Sequence, residues 1–326
     1  MWTATGPLRW FRPQRFSSPI LRIMSGQFSG TSFKTEQDFK EFASNHPSVK
    51  NAKLKYYKGL GTSTDEDAAV YFAEFDKNVM VVNHNGQPAK DAIKLAFGKE
   101  NADQRKDYLS KDYDENAVID YNKSKITIPT FVFDDLMHFS NYDNERSIPR
   151  MIDGLKPSQR KVLYWMMENT KTNEVKVSII ASQTAQSTQY RHGEISLAGV
   201  VTNMAATYTG QGIMLLEPRG QFGTRMNPTP AAPRYIYSKC NPLTYKLFRP
   251  EDNKVLKSAV IENVKVEPVN YVPVIPFVLL NGSDGIGTGW RSLSWNYNPL
   301  DIIAQCRQIA KGSKLDDKVT MVPYYI

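Results

Sequence analysis

Tyr235, which follows Arg234, is a candidate nucleophile in this sequence. A phenol has a pKa of about 10, so it needs positive neighbours to act as a nucleophile. Arg234 supplies one such charge, and Arg225 precedes it across a loop that contains Pro228 and Pro230. Because the chain holds 17 tyrosines, these residue types alone do not single out Tyr235. The pattern permits covalent attack by tyrosine and needs support from other segments.

A basic cluster surrounds the start of a predicted helix in the middle of the chain. Gly154 and Pro157 place Lys156 at this start, where backbone N–H groups and the helix dipole also attract phosphate. Arginine can hold a phosphate through two parallel hydrogen bonds, so the cluster suits a nucleic-acid backbone. A solvated basic face is the alternative interpretation. The cluster comprises Arg146, Arg150, Lys156, Arg160 and Lys161.

Two further features are ambiguous from the residues alone. His192, one of four histidines, follows Arg191 and can hold a phosphate oxygen or relay a proton, although a single histidine is more often structural or at the surface. Ile286 lies in the glycine-rich run 281–290, which lacks the lysine spacing and the GxGxxG context of nucleotide-binding loops. An apolar residue between glycines can be inserted between base pairs, but a tight turn is the simpler interpretation.

The composition narrows the class of partner. The chain has 326 residues, with 41 Lys and Arg against 33 Asp and Glu, a net charge of +8. This excess favours a polyanion, such as nucleic acid or an anionic membrane, over a merely basic soluble protein. Two cysteines exclude a disulfide framework or a zinc cluster, and the longest apolar run, 272–280, is too short to span a membrane. The basic first 34 residues resemble a transit peptide, but they suit a strand equally well.

The elements that position these residues fall into three segments. The first third predicts an α/β unit, with a capping box between Ser63 and Glu66, and residues 99–123 predict a linker. The middle predicts three short helices and an extended segment, which suggest a winged helix-turn-helix or a generic helical subdomain. From residue 264 the pattern favours strands, including 272–280. The predicted helices cover residues 36–46, 63–75, 89–97, 157–168, 178–187 and 194–208, and the predicted strands cover 54–57 and 78–83.

Six motifs in one order resemble eukaryotic-type DNA topoisomerase II. The motifs are residues 55–63, 140–149, 153–163, 220–225, 233–236 and 281–290. The resemblance implies that Tyr235 attacks a DNA phosphodiester and forms a 5′-phosphotyrosyl bond, with Arg234 and His192 near the same phosphate. It implies that Ile286 enters the bent duplex and that the glycines around it allow close approach to DNA. It also implies DNA contacts at Lys58, Gly59, Lys156, Arg160, Lys161, Arg191, Gln221 and Arg225.

The resemblance implies Mg²⁺ and ATP for the full-length enzyme only. The family holds magnesium with a glutamate and an Asp-x-Asp-x-Asp motif, which nothing in this sequence matches, so no metal ligand is assigned. The ATPase domain, most of the tower and the C-terminal dimer gate are also unmatched. The chain is therefore expected to be the middle of a larger enzyme, inactive or weak alone. A shortened loop before Tyr235 and Arg191 in place of a frequent histidine indicate a divergent member, viral or protist.

The resemblance predicts an α/β plus α+β multidomain fold. Its parts are the end of a TOPRIM domain with a linker (1–112), a winged-helix breakage–reunion domain (113–262) and the start of an α/β tower domain (263–326). The predicted partners are double-stranded DNA and a second copy of the chain, with no membrane. The predicted location is the nucleus, or a viral DNA compartment, with mitochondrial targeting a minor possibility. A non-catalytic DNA-binding fragment and a winged-helix transcription factor are the competing hypotheses, the latter leaving Tyr235 and Ile286 unexplained.

Overall fold

The structure is a computed structural model that describes residues 13–57, 63–261, 264–312 and 321–324. The chain forms two compact units, Met1–Asn141 and Tyr142–Ile326. Both units mix helices with short strands, which confirms the expected mixed fold at that level. No helix of the described residues is long and apolar enough to cross a bilayer. The predicted division into three domains, at residues 112 and 262, stays a prediction.

The first unit contains two three-stranded sheets. Its strands are β1 Gln14–Phe16, β2 Leu21–Ile23, β3 Ser32–Phe33, β4 Leu54–Tyr56, β5 Val79–Asn83 and β6 Lys125–Thr127. One sheet has the order β3–β2–β4 and is antiparallel, whereas in β1–β5–β6 the strands β5 and β6 are parallel. A parallel pair needs a long crossover, and the helices between β5 and β6 provide it.

Helices cover the sheets of the first unit and continue to its end. They are α1 Glu36–Asn45, α2 Asp65–Ala73, α3 Phe75–Asn78, α4 Gln87–Phe97, α5 Ala102–Lys111, α6 Ile128–Phe131 and α7 Met137–Ser147. Short 3₁₀ turns occupy Pro47–Asn51 and Lys99–Asn101, and a π-helical stretch, Val132–Leu136, joins α6 to α7. Pro88 lies in the first turn of α4, where its missing N–H costs no hydrogen bond.

Two sequence predictions for the first unit need correction. The capping box of α2 lies one residue later than predicted, because Thr64 accepts from the Asp67 amide at 3.3 Å and Asp67 accepts from the Thr64 amide at 3.1 Å. The predicted linker 99–123 contains α5, whose Leu109 is buried. Arg105 of α5 donates to the carbonyls at the end of α4, so this charged segment folds onto its own unit.

The second unit combines six helices with seven strands among the described residues. The helices are α8 Pro157–Asn169, α9 Val177–Ser187, α10 Glu194–Ala205, α11 Pro242–Leu247, α12 Phe277–Asn281 and α13 Pro299–Ala310, with a 3₁₀ turn at Pro250–Lys254. The strands are β7 Val175–Lys176, β8 Leu216–Arg219, β9 Tyr237–Cys240, β10 Ser258–Ile261, β11 Val264–Pro268, β12 Ser283–Ile286 and β13 Arg291–Ser294. The last four form two antiparallel pairs, β10–β11 and β12–β13.

The core of the second unit lies between α8, α9, α10 and the sheet β7–β9–β8. Leu163 of α8, Ile180 of α9 and Leu197 of α10 are completely buried there. Leu216 of β8 and Ile236 close the core from the sheet side. Each such side chain contributes about 1.5–3 kcal/mol through burial. The three predicted helices are therefore confirmed, although α10 ends at Ala205 rather than Tyr208.

The predicted strand over 272–280 is wrong. Pro276 is the N-cap of α12, and Phe277 and Leu280 are buried on one face of that short helix. Valine and isoleucine favoured a strand, but prolines cannot donate to a strand ladder, and spacing by three residues buries both apolar side chains in a helix. The strands of this region are instead β12 and β13, within and beyond the glycine-rich run.

Candidate functional site

An ordered loop, residues 220–236, carries Tyr235 between β8 and β9. Gly220 and Gly223 have positive φ, of 104° and 91°, which side chains other than glycine rarely adopt. Within the loop the Ala231 amide donates to the Gln221 carbonyl at 3.0 Å. From outside it, the Tyr208 hydroxyl donates to the Pro228 carbonyl at 2.9 Å. These bonds give the proline-rich loop a defined shape.

The first amides of α9 fix the backbone on both sides of Tyr235. A helix leaves its first amides without intrahelical acceptors. The Val177 amide donates to the Ile236 carbonyl at 2.9 Å, and the Ser178 amide donates to the Pro233 carbonyl at 3.2 Å. Ile236 is buried, whereas the Tyr235 side chain is 66% exposed. A buried neighbour therefore anchors the segment while the phenol faces solvent.

Two positive features lie beside the Tyr235 phenol. The guanidinium carbon of Arg234 lies 4.8 Å from the centre of the Tyr235 ring, within the range of a cation–π contact. The N-terminus of α9, to which the flanking backbone is bonded, carries the positive end of a helix dipole. Both features favour the approach of a phosphate group. Arg225 of the same loop is exposed, and Gln221 is exposed with its side-chain amide donating to the Thr229 carbonyl at 3.3 Å.

His192 lies between two tyrosines, in the connection between α9 and α10. Its Nε2 is 2.7 Å from the Tyr142 hydroxyl of α7, and its ring meets the Tyr190 ring edge-on, with 5.3 Å between centres. Burial, and then the cation of Arg146, hold the pKa of His192 below its ordinary value. The imidazole is therefore neutral near pH 7. Arg191, the preceding residue, is exposed.

The basic residues of α8 differ sharply in exposure. Lys156 is the half-buried N-cap, and its amide donates to Gln159 Oε1 at 2.9 Å. Arg160 is only 2% exposed and binds Asp153 through two hydrogen bonds, of 2.7 and 2.9 Å. Lys161 is 8% exposed. The structure thus gives Arg160 an internal partner, and Lys161 is internal as well.

Lys161 bonds two groups of its own unit. Its ammonium lies 2.7 Å from Glu267 Oε1 and donates to the Thr188 carbonyl at 2.8 Å. Glu267 is itself buried, on β11. The assignment of Arg160 and Lys161 as DNA contacts stays a prediction, and in the structure both cations already have protein partners.

The hairpin β12–β13 presents Ile286, which is 70% exposed. The Gly287 amide donates to the Trp290 carbonyl at 2.9 Å and closes the turn. A Cβ atom on Gly285 would collide with the Ser147 carbonyl, and one on Gly287 would collide with the Asn144 side chain. These two glycines therefore allow the hairpin to pack on the end of α7. The sequence prediction gave them a different role, close approach to DNA.

The end of α7 connects several of the predicted site residues. Tyr142 contacts His192, and Asp143 accepts from the Thr288 hydroxyl of the hairpin at 3.0 Å. A cavity of about 190 Å³ lies between the start of α8 and the hairpin, with Lys156 and Asp284 in its lining. The structure thus brings His192, Lys156 and the Ile286 hairpin to one region, while Tyr235 is held separately by α9.

Two outcomes remain for the predicted site. Lys58 and Gly59 lie outside the described residues. Tyr142 was missed as a functional residue, although it lies in a quoted motif four residues before Arg146, a spacing that places both on one helix face. The described residues include no group of three or more His, Cys, Asp or Glu side chains arranged to hold a metal. They do not fit the magnesium of the family, so no chemical step is assigned to a metal here.

Comparisons with known proteins identify the class. The family model of DNA gyrase/topoisomerase IV, built on the gyrase-A type of chain, matches residues 146–326, and that of the C-terminal associated domain of TOPRIM matches residues 16–144. The chain belongs to this DNA gyrase/topoisomerase IV family, since that match covers more than half of it. The resemblance to type II topoisomerases inferred from the motifs is thereby confirmed.

Individual relatives agree with this class. The chain is 41% identical to DNA topoisomerase 2 of Bombyx mori and 37% identical to DNA topoisomerase 2-alpha of Homo sapiens. Each comparison covers 96% of this chain and 21% of the relative, so the chain spans about a fifth of their length. It also resembles the crystal structure of the Plasmodium falciparum topoisomerase II DNA-binding, cleavage and re-ligation domain. That match has a TM-score of 0.77 and 37% identity, and it covers 96% of this chain and 42% of that one.

Proposed function

We propose that this chain is the DNA breakage–reunion region of a type II topoisomerase, an isomerase that uses ATP in its full-length form. The observation that carries the proposal is the exposed Tyr235 phenol on a backbone anchored to α9, with Arg234 against its ring. Family membership supports it, because the named relatives are topoisomerases. In this proposal the chain binds double-stranded DNA, works as a homodimer and acts in the nucleus.

The proposed reaction is a transfer of one phosphodiester bond to tyrosine. The phenol oxygen of Tyr235 loses its proton and attacks the DNA phosphorus. The bond from phosphorus to the 3′-oxygen breaks, and that oxygen leaves as a 3′-hydroxyl. The product is a 5′-phosphotyrosyl diester, which keeps the bond energy, so resealing by the 3′-hydroxyl needs no ATP. After a second duplex has passed through the break, the reverse attack restores the DNA.

Individual residues receive roles in this proposal. Arg234 offsets charge on the phosphate beside the nucleophile, and neutral His192 donates a hydrogen bond to a phosphate oxygen. Lys156, at the start of α8, attracts the DNA backbone. The exposed Ile286 enters a base step and bends the duplex. Exposed Arg191, Gln221 and Arg225 contact the backbone, and Lys58 and Gly59 are assigned to it from the resemblance alone.

The finer architecture is also part of the proposal. We assign α8, α9, α10 and the sheet β7–β9–β8 to a winged-helix domain, because three short helices followed by a small antiparallel sheet match that arrangement. The strands and helices from residue 264 onward are assigned to the start of a tower domain. In the full-length enzyme, Mg²⁺ supplies Lewis-acid stabilisation of the leaving oxygen, with ligands outside the described residues of this chain.

A covalent-adduct assay tests the proposed function. The chain is incubated with supercoiled plasmid, magnesium and a separate segment of a relative that carries the acidic metal-binding motif. Denaturation with detergent then traps any protein-linked break. We expect adducts with the wild type and with Tyr237→Phe, and none with Tyr235→Phe. Tyr237 is a matched control because it is the next tyrosine along the chain, on β9.

The assay also separates the second candidate function. Adducts that persist in Tyr235→Phe would falsify the assignment of the nucleophile. Plasmid binding without adducts, even when the acidic segment is present, would instead identify a non-catalytic DNA-binding module.

A further inference from the structure

We propose that Tyr142 is a positioning residue for His192. Its hydroxyl donates to Nε2, which holds the imidazole in the tautomer that carries its proton on Nδ1. The Nδ1–H group is then the donor available to a DNA phosphate oxygen. The choice of a phosphodiester as the acceptor rests on the proposed function, whereas the choice of tautomer rests on the contacts of the protein alone.

The geometry defines a specific pair. The Tyr142 hydroxyl and His192 Nε2 are 2.7 Å apart, at the short end of the range for hydrogen bonds. The two residues come from separate elements, α7 and the connection between α9 and α10, so only the folded unit brings them together. Among the described residues, no group of the protein bonds to His192 Nδ1. The edge-on contact with Tyr190 restricts the imidazole ring on another side.

The direction of the hydrogen bond follows from the chemistry of the two groups. Burial and the nearby Arg146 cation disfavour the imidazolium and lower the pKa of His192, so one ring nitrogen carries no proton near pH 7. A phenol donates more readily than it accepts, because its ring withdraws the oxygen lone pair. Tyr142 therefore donates, and Nε2 accepts. The remaining proton of the imidazole is on Nδ1.

This arrangement makes His192 a neutral hydrogen-bond donor rather than a cation. Its contribution to phosphate binding is directional and adds no charge. Loss of the Tyr142 hydroxyl should therefore alter the orientation and tautomer of the donor, with little change in the salt dependence of DNA binding. A purely structural role for Tyr142 would change stability and leave the tautomer as it was.

Nitrogen NMR of the histidine-labelled chain tests the tautomer directly. The chain has four histidines, and two of them supply internal references. His46 Nδ1 lies 2.9 Å from the Phe42 carbonyl, so that nitrogen carries the proton. His138 Nε2 lies 2.6 Å from the Ala117 carbonyl, so the opposite tautomer is present there. Carbonyl oxygens can only accept, which makes both assignments firm.

The decisive comparison uses two tyrosine-to-phenylalanine variants. Above the titration range of imidazole, we expect His192 to match His46 in the wild type and in Tyr190→Phe. The Tyr190 hydroxyl bonds Ser196 at 3.3 Å, so its loss leaves His192 unaffected. In Tyr142→Phe we expect His192 to move toward the pattern of His138. A wild-type His192 that already matches His138, or a Tyr142→Phe variant with an unchanged His192 pattern, overturns the proposal.

A second measurement ties the tautomer to DNA chemistry. In the covalent-adduct assay, Tyr142→Phe should form adducts about tenfold more slowly, the lower end of what removal of an orienting partner costs at metal-bound histidines. A changed tautomer with unchanged adduct formation would refute the positioning role. If the wild type itself forms no adduct, the proposed function fails, and the NMR comparison still decides the tautomer.

Discussion

The first turn of α8 and the loop that carries Tyr235 use the same residue type in opposite ways. Arg160 of α8 is almost fully buried, whereas Arg234 of the loop is exposed. Both arginines lie in motifs shared with topoisomerases, and both read as phosphate contacts in the sequence. The difference shows that a basic motif combines charges that hold the protein together with charges that face a ligand.

The buried side of this comparison is a fully bonded carboxylate. Asp153 accepts from Arg160 at 2.7 and 2.9 Å, from the Leu155 amide at 3.0 Å and from the Tyr271 amide at 3.0 Å. A buried ion pair is tolerated only when such bonds replace the lost water. The exposed arginine keeps its water, so its removal costs little stability.

The largest expected effect is on folding. Arg160→Met leaves the Asp153 carboxylate buried and unpaired, and we expect a loss of about 3–5 kcal/mol in the free energy of unfolding. Arg234→Ala should change the same quantity by less than about 0.5 kcal/mol. Urea titration followed by circular dichroism measures both.

A double variant isolates the cause. Asp153→Leu combined with Arg160→Met removes both charges and should recover much of the lost stability. Equal losses in the single Arg160 and Arg234 variants would contradict the distinction between buried and exposed arginines.

A smaller effect is expected where the Ile286 hairpin packs on α7. Gly285→Ala places a methyl group against the Ser147 carbonyl, and overpacking of this kind costs about 1–3 kcal/mol. Gly199, inside α10, has open space around its Cα, so Gly199→Ala should instead stabilise the protein by up to about 1 kcal/mol. Thermal melts of the two variants should shift in opposite directions. A Gly285→Ala variant as stable as the wild type would mean that the hairpin does not pack on α7 as described.

The third prediction concerns DNA binding. Lys156→Ala should weaken binding to all sequences and reduce the slope of log affinity against log salt by about 1. Lys161→Met combined with Glu267→Leu removes an internal pair and leaves the net charge unchanged, so we expect an unaltered slope. Fluorescence anisotropy over a range of salt concentrations gives both values. A reduced slope in the double variant would restore Lys161 to the DNA surface.

The smallest effect is expected for an exposed ion pair. Arg291, through a hydrogen bond of 3.1 Å, holds the pKa of Asp284 below its ordinary value. The stabilisation is therefore present above the ordinary carboxyl pKa and is lost as the pH falls through the lowered one. Between about pH 5 and pH 2, the wild type should lose slightly more stability than Asp284→Asn, because exposed pairs contribute little. Urea midpoints at the two pH values measure it, and a larger loss in the variant would contradict the assignment.

Much of the local structure was predictable from the sequence. Pro157 correctly marked the start of α8, and the exposed position of Tyr235 agrees with a reactive role. The burial of Arg160 and Lys161 was not predictable, because their partners include Tyr271 and Glu267, more than a hundred residues later. Contacts at such separation leave no periodic signal in the sequence.

The glycines of the hairpin were misinterpreted for the same reason. Gly285 and Gly287 pack against Ser147 and Asn144, which belong to a distant helix. Close approach was the correct physical idea, but the sequence gives no means of choosing between a duplex and another part of the chain. The hydroxyl of Tyr142 beside His192 required the same long-range information.

The Asp153–Arg160 pair also has a consequence for inheritance. Replacing either residue first strands a charge in the interior, so every single-step route away from the pair passes through a poorly folded ancestor. A lineage can lose the pair only when both codons change together or when a compensating change elsewhere comes first. The two positions should therefore be inherited as one character, even in lineages where the exposed loop around Tyr235 has been shortened or rewritten.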